Sequence, residues 1–87
     1  MLRISRTNSS EQDVVFHLEG KLIGPWVNEL ESRCTMARQE GCRISLDLTD
    51  VLFADRPGVA LLRALRKGGV VLAGCSMLIS EQLSRGP

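Results

Sequence analysis

Residues 47–65 read DLTDVLFADRPGVALLRAL and join a short apolar strand to an amphipathic helix. The turn between the two contains Asp55, Pro57 and Gly58. In a chain that alternates strands and helices, such a turn lies at the carboxyl end of the sheet, where ligands and partners usually bind. Neither this stretch nor the rest of the chain contains a recognisable set of catalytic residues, so the sequence predicts recognition rather than an enzyme.

The composition is typical of one small globular domain that spans residues 1–87. Hydrophobic residues make up 44% of the chain and aromatic residues only 3%, so Leu, Val and Ile must form most of the core. Eleven basic and ten acidic residues give a net charge of +1. Because the arginines are spread along the chain among acidic residues, no uniform basic stripe is required and no nucleic-acid partner is expected.

The cysteines and the single histidine do not form a recognisable metal site. Cys34, Cys42 and Cys75 are an odd number without CxxC spacing, so we expect small buried hydrophobic side chains rather than zinc ligands. The N-terminus lacks the apolar core of a signal peptide, and no run approaches the ~18 apolar residues of a membrane span. The sequence therefore predicts a cytoplasmic protein with no cofactor, no metal and no direct membrane insertion.

Alternating apolar and polar residues predict the strands. The pattern occurs at residues 2–5 and 14–18, which together favour an antiparallel hairpin, and again at residues 43–49. His17 lies on the outward side of the second strand and is expected to be an ordinary solvent-side residue. A fourth strand, at residues 70–73, lacks alternation, which indicates that it is covered on both sides or lies at an oligomer contact.

Three helices are expected, each with its own start signal. The first begins at Pro25, which suits a first helical turn, and ends at Gly41. The second covers residues 56–67, and the third covers residues 77–83 with Ser76 as its cap. Their core-facing residues are Trp26 or Val27, Leu30, Cys34 and Ala37 in the first helix, Val59, Leu61, Leu62 and Leu65 in the second, and Leu78, Ile79 and Leu83 in the third.

The outward positions of the first three strands are mostly polar, so only one face of the sheet is expected to be covered by helices. Right-handed crossovers that all stay on one face require the strands to advance steadily across the sheet. The sequence therefore predicts an α/β fold with a four-stranded mixed sheet in the order 1-2-3-4. Strand 1 is antiparallel to the others, and about three helices lie mainly on one face.

Each residue of the turn has an expected physical role. Asp55 can cap the second helix, which contributes ~1 kcal/mol, and Pro57 has the backbone torsion of a first helical turn. Gly58 permits close approach of a neighbouring backbone. Arg56 opposes the helix dipole by ~0.3–1 kcal/mol, which makes it a candidate functional residue; an ion pair with Asp50 or Asp55 is the alternative.

The chain resembles a known family. The ordered segments LEGKLIGPWVNEL, RISLDLTDVLFADRPGVALLRAL and GGVVLAGCSMLISEQL are similar to those of a STAS domain, over residues 14–83. The family takes its name from sulfate transporters and anti-sigma-factor antagonists. The resemblance implies a four-stranded mixed sheet with helices packed on it, which agrees with the fold expected from the periodicities.

Phospho-regulated members of the family carry Asp-Ser-Ser-Gly or a close variant in this turn. The hydroxyl residue just before the glycine accepts phosphate from a partner kinase that is also an anti-sigma factor. Here Pro57 occupies the acceptor position and has no group to phosphorylate. The resemblance thus implies a module that binds a regulatory protein, with an anti-sigma factor or serine kinase as the candidate, without the usual switch. The expected partner-binding residues lie in the turn and on the exposed side of the following helix; they are Asp55, Arg56, Pro57, Gly58, Arg63 and Arg66.

Other interpretations stay open. The remaining candidate phosphosites are Thr49, at the end of the third strand, and Ser76, at the start of the last helix. A small-anion or nucleotide sensor would use the helix N-terminus near Arg56 and Gly58, although the chain lacks a GxxxxGK[ST] loop. An accessory STAS subunit of a membrane transport complex is a third alternative, and a homodimer is also open.

Overall fold

The computed structural model describes residues 2–84, which alternate between strands and helices. The strands are β1 (Leu2–Asn8), β2 (Asp13–Leu22), β3 (Arg43–Ala54) and β4 (Val71–Ala73), and the helices are α1 (Pro25–Gln39), α2 (Arg56–Lys67) and α3 (Met77–Ser84). Every predicted element is present, and the bounds predicted for α2 agree with those observed. β1, β2 and β3 extend beyond their predicted ends, in the case of β3 because an irregularity after Leu48 interrupts the alternation.

The sheet has the strand order β1-β2-β3-β4. β1 pairs antiparallel with β2, whereas β2 with β3 and β3 with β4 pair in parallel. The predicted fold class and topology are therefore confirmed. Both parallel connections contain a helix, as a parallel pair requires a crossover connection.

The core lies between the sheet and the three helices. On β2 and β3 the buried side chains alternate with half-buried or exposed ones, so each strand presents one face to the helices. The fully buried large side chains are those of Phe16, Leu18, Leu22, Leu30, Leu46, Leu48, Leu62, Ile79, Val14, Val51 and Cys34. Val15, His17, Ser45 and Asp47 lie on the opposite face, which carries no helix; we call it the open face.

Two packing predictions need correction. Leu78 was expected on the apolar side of α3, but it is 47% exposed, and the buried residues of this helix are Ile79 and Leu83. These two are four residues apart and share a face, whereas Leu78 is turned about 100° away. The fourth strand is not covered on both sides, because Val71 lies on the open face and is 58% exposed. An oligomer contact at Val71 stays a prediction.

Cys34 is buried as predicted, whereas Cys42 and Cys75 are half-buried, and all three are free thiols. Burial raises the pKa of the Cys34 thiol to about 11, so this thiol stays protonated at neutral pH. Trp26 is partly buried against the core, as expected. None of the helices within residues 2–84 combines the length and apolar character needed to cross a lipid bilayer.

Candidate functional site

The turn between β3 and α2 is fixed by the side chain of Asp55. Its backbone is extended, with φ −77° and ψ 179°, and its Oδ1 accepts a hydrogen bond from the Gly58 backbone N–H at 2.8 Å. Its Oδ2 accepts a second hydrogen bond from the backbone N–H of Gly24 at 3.0 Å. The predicted helix cap is therefore confirmed, and the same carboxylate also joins the start of α1 to the start of α2.

Gly24 precedes α1 and adopts φ +56° and ψ −134°, a combination that favours glycine. No side-chain hydrogen bond caps the first turn of α1, and the N–H of Gly24 itself is bonded to Asp55. The backbone N–H of Asp55 also donates to the Leu22 carbonyl at 3.1 Å. The two turns that follow β2 and β3 are thus hydrogen-bonded into one unit at the carboxyl end of the sheet.

Gly58 is required because the chain at Leu22 passes against it. A Cβ at position 58 would lie 2.6 Å from the Leu22 carbonyl oxygen, which is closer than Cβ atoms approach other atoms in folded proteins. The predicted close approach of a neighbouring backbone is confirmed. The same glycine donates its N–H to Asp55, so it contributes both space and a hydrogen bond to the turn.

Arg56 and Pro57 form the exposed first turn of α2. Pro57 occupies a position whose N–H would have no intrahelical partner, so its ring is accommodated without loss of a hydrogen bond. Arg56 makes no hydrogen bond or ion pair with any residue in 2–84. The alternative pairing with Asp50 or Asp55 is not observed, because the first contacts His17 and the second accepts backbone amides.

The two remaining arginines of the predicted surface differ from each other. Arg66 is exposed, as predicted. Arg63 is half-buried, and its guanidinium donates from Nε to the Leu83 carbonyl at 3.1 Å and from Nη2 to the Gln82 carbonyl at 3.2 Å. The expectation that Arg63 lies on the exposed side of α2 therefore needs correction, since its side chain satisfies carbonyls at the end of α3.

β3 carries two register irregularities just before the turn. His17 of β2 pairs with Asp47 of β3, and two residues later Glu19 pairs with Asp50, which is three residues after Asp47. β3 therefore contains one extra residue at this point. A second extra residue follows, because Gly20 pairs with Val51 and Lys21 with Phe53. Extra residues of this kind bend a strand and change the direction of its side chains, and they are common beside functional sites.

The first irregularity places His17 between two carboxylates. Its Nδ1 lies 3.1 Å from Asp47 Oδ2, and its Nε2 lies 2.9 Å from Asp50 Oδ2. The same Nε2 lies 3.9 Å from Glu19 Oε1. The hydrogen bond to Asp47, opposed by partial burial and assisted by Asp50, raises the pKa of His17. His17 was expected to be an ordinary solvent-side residue. It does lie on the open face, but it forms a cluster with Asp47 and Asp50, which are 30 and 33 residues away in sequence.

The two candidate phosphosites lie in different surroundings. Thr49 is exposed, and its hydroxyl donates to Asp47 Oδ1 at 2.6 Å, which with the Thr49 backbone N–H holds the pKa of Asp47 below its usual range. Ser76 is half-buried, and its Oγ accepts from the Ile79 N–H at 3.2 Å, so its predicted capping role is confirmed. Phosphorylation of either residue stays a prediction.

No group of three or more His, Cys, Asp or Glu side chains within residues 2–84 is arranged to hold a metal ion. A depression of about 610 Å³ lies at the opposite, amino end of the parallel strands, among Asp13, Arg38, Cys42, Arg43 and Val71. Its two arginines have internal partners, since Arg38 donates to the Gly68 carbonyl and Arg43 contacts Asp13 at 2.8 Å. It contains none of the residues predicted as a site.

Solved structures with the same fold include the anti-sigma factor antagonist SpoIIAA in its unphosphorylated form. It aligns with a TM-score of 0.76 and 20% sequence identity, over 98% of this chain and 84% of that chain. An antisigma-factor antagonist STAS domain from Rhodobacter sphaeroides aligns with a TM-score of 0.66 and 17% identity, over 97% of this chain and 92% of that chain. At these identities the structures establish a shared fold.

A third solved structure, an uncharacterized protein of the DUF3478 family with a SpoIIAA-like fold from Shewanella loihica PV-4, aligns with a TM-score of 0.61 and 15% identity. The alignment covers 88% of this chain and 69% of that chain. No curated protein matches the chain in sequence. The family model described as the STAS domain matches residues 5–81, which is most of the sequence. The chain therefore belongs to the STAS domain family.

Proposed function

We propose that this chain is a non-enzymatic interaction module that binds a regulatory partner protein through the turn and helix around residues 55–66. The observation that carries the proposal is the position of Pro57, exposed on the first turn of α2. In the resemblance to phospho-regulated STAS domains, this position holds the hydroxyl that a partner kinase modifies. A proline there leaves the surface in one state. The proposed contact residues are Asp55, Arg56, Pro57 and Arg66. Gly58 holds the Asp55 side chain through its backbone N–H, and Arg63, which is bonded to the end of α3, contributes only its exposed part.

The charge of this surface indicates the kind of partner. Arg56 is exposed and has no ion pair within residues 2–84, and both oxygens of Asp55 accept backbone hydrogen bonds. A phosphoserine in this turn would bring about −1.5 to −2 charges, whereas Arg56 brings +1. A partner with an acidic patch therefore fits, because complementary charge favours association and excludes cationic competitors. An anti-sigma factor or serine kinase is the candidate class, supported by the likeness to antisigma-factor antagonist folds.

The same geometry disfavours the alternative of a small-anion sensor in this turn. Such a ligand would take the backbone N–H groups at the helix N-termini. Those of Gly24 and Gly58 already donate to the Asp55 carboxylate at 3.0 and 2.8 Å. An incoming anion would have to displace a carboxylate that is held by the chain itself, so a protein surface is the better match.

The test begins with the partner recovered from the producing cell by affinity capture and identified by mass spectrometry. Its affinity is then measured by calorimetry for the wild type, Arg56→Glu and Arg3→Glu. We expect Arg56→Glu to weaken binding about tenfold or more, since a favourable charge contact becomes repulsive. Arg3→Glu makes the same charge change at an exposed residue of β1 and should bind as the wild type does. Unchanged binding by Arg56→Glu would refute the proposed surface.

A second variant tests the missing switch. Pro57→Ser restores a hydroxyl just before Gly58. If the captured partner has kinase activity, incubation with ATP should label Pro57→Ser and release it, while the wild type remains unlabelled at this turn and bound. ATP-dependent release of the wild type would contradict the proposal.

A further inference from the structure

We infer that Leu52 and Phe53 form the apolar centre of the contact with the partner, and that the partner segment seated on them carries apolar side chains flanked by carboxylates. The inference rests on the proposed function, because it extends the surface from α2 onto the end of β3.

The second irregularity of β3 is what turns both side chains outward. Gly20 pairs with Val51 and Lys21 with Phe53, so Leu52 has no residue opposite it on β2. In a regular strand, consecutive side chains point to opposite faces. Here Val51 and Ala54 are buried, at 2% and 0% exposure, while Leu52 and Phe53 between them are 65% and 41% exposed.

This exposure is unusual for the composition of the chain. Only three aromatic residues are present, two Phe and one Trp, and one of the two Phe is left 41% exposed. The other exposed large apolar side chains within residues 2–84 are Met36, Val71, Met77 and Leu78. Leu52 and Phe53 are the pair that directly precedes the Asp55 turn. Aromatic and large apolar side chains at the centre of a contact commonly supply most of its binding energy.

The charges around the pair indicate what covers it. Lys21 pairs with Phe53 in register, and Arg56 follows three residues after Phe53. Both cations are exposed, and neither forms a hydrogen bond or ion pair with a residue of the described part of the chain. The nearby carboxylates are engaged, since Asp50 contacts His17 and Asp55 accepts two backbone amides. Of the charged side chains beside the apolar pair, the two without a partner in the described part of the chain are therefore both cations.

A partner segment with Asp or Glu beside its apolar residues matches this arrangement. A second copy of this chain matches it less well, because the nearby carboxylates that it would offer, Asp50 and Asp55, are already hydrogen-bonded within their own chain. The structure thus favours a different protein over a homodimer at this surface.

The experiment places a photoreactive benzoylphenylalanine at position 52, 53, 56 or 36 of the full chain in the producing cell. Position 36 is the control, because Met36 is 61% exposed on the second half of α1, away from the turn. After irradiation, the crosslinked peptides are sequenced by mass spectrometry. We expect positions 52, 53 and 56 to crosslink to one segment of one protein, with apolar residues flanked by Asp or Glu, and position 36 not to crosslink to it.

The outcomes separate the two proposals. Crosslinks at position 56 without any at 52 or 53 would overturn this inference and leave the proposed function standing. No crosslink at any of the three would overturn both. A crosslink from position 53 to another copy of this chain, or to a segment without carboxylates, would overturn this inference.

Affinity measurements with the identified partner provide the second readout. Leu52→Ser and Phe53→Ser should each weaken binding about tenfold or more, mainly through faster dissociation, whereas Met36→Ser should not change it. Urea denaturation verifies that the three variants are folded, and Phe53→Ser is expected to be the least stable of them because the Phe53 side chain is only 41% exposed. Wild-type affinity of both Leu52→Ser and Phe53→Ser would overturn the inference.

Discussion

The carboxylate of Asp55 accepts a hydrogen bond from the backbone N–H of Gly24, 31 residues earlier in the chain, at 3.0 Å. The other oxygen of the same carboxylate accepts from Gly58 at 2.8 Å. One side chain therefore sets the relative position of the first turns of α1 and α2. The proposed binding surface depends on this link, because Arg56 and Pro57 lie within the segment that it holds.

Asp55→Ala is expected to lower the free energy of unfolding by about 1–3 kcal/mol. A lost helix cap alone costs about 0.5–2 kcal/mol, and the Gly24 amide loses its acceptor as well. Asp55→Asn retains an acceptor for Gly58 but not a second one for Gly24, so it should fall between the wild type and Asp55→Ala. Urea denaturation gives the free energy of unfolding of the wild type, Asp55→Asn and Asp55→Ala. An Asn variant as unstable as the Ala variant would show that the carboxylate does not make two separable contacts.

Gly58→Ala is expected to destabilise the protein even though alanine favours a helix by up to ~1 kcal/mol over glycine. The added Cβ would lie 2.6 Å from the Leu22 carbonyl oxygen and 3.1 Å from Asp55 Oδ1, so backbone must move. Overpacking of this kind costs about 1–3 kcal/mol, which exceeds the gain in propensity. Thermal or urea unfolding shows whether the overpacking or the gain in helix propensity is larger. A stabilised variant would mean that the backbone at Leu22 moves to accommodate the Cβ at little cost.

Arg63 and Arg66 lie on the same helix, α2, but differ in burial, so Arg66→Ala is the control for Arg63→Ala. Arg63→Ala removes two hydrogen bonds to the carbonyls of Gln82 and Leu83. We expect the free energy of unfolding to fall by about 1–2 kcal/mol and α3 to unfold locally more often. Arg66→Ala removes an exposed side chain without such contacts and should change stability by less than ~0.5 kcal/mol. Hydrogen exchange of the α3 amides measures the local effect. Equal effects of the two substitutions would refute the assigned role of Arg63.

His17 should make stability depend on pH. Its pKa is raised in the folded protein by its hydrogen bonds to Asp47 and Asp50, whereas the unfolded value is about 6.5. Its stabilising contribution is therefore complete below the unfolded pKa and is lost as the pH rises through the higher folded pKa. The difference in stability between the wild type and His17→Gln should narrow as the pH rises from 5 to 9. A difference that stays constant over this range would indicate that protonated His17 does not stabilise the fold.

The Asp47 carboxylate responds in the opposite direction. Its pKa is lowered by Thr49 and His17, so its contribution is present above the unfolded value and is lost as the pH falls through the lower folded value. The cluster on the open face should therefore stabilise the protein most in mildly acidic solution, between the two transitions. The pH series with His17→Gln tests the upper transition alone, because Asp47 remains bonded to Thr49.

Local patterns in the sequence determined the elements, their order across the sheet and the main features of the turn. The alternation of residues 43–49 marks a strand, and the spacing of Leu62 and Leu65 marks the buried side of α2. The role of Asp55 as a cap follows from its place before a helix, and the close approach at Gly58 follows from the residue type. These predictions succeed because backbone geometry and one-sided burial impose periods of 2.0 and 3.6 residues on the chain itself.

The tertiary structure decided what lies far apart in sequence. The contact of Asp55 with Gly24 and of His17 with Asp47 and Asp50 depends on strand register, and the extra residues in β3 shift that register after His17. The exposure of Leu52 beside Phe53 has the same origin. A single extra residue reverses which side chains face the core, and no local period in the sequence records where a strand will gain it.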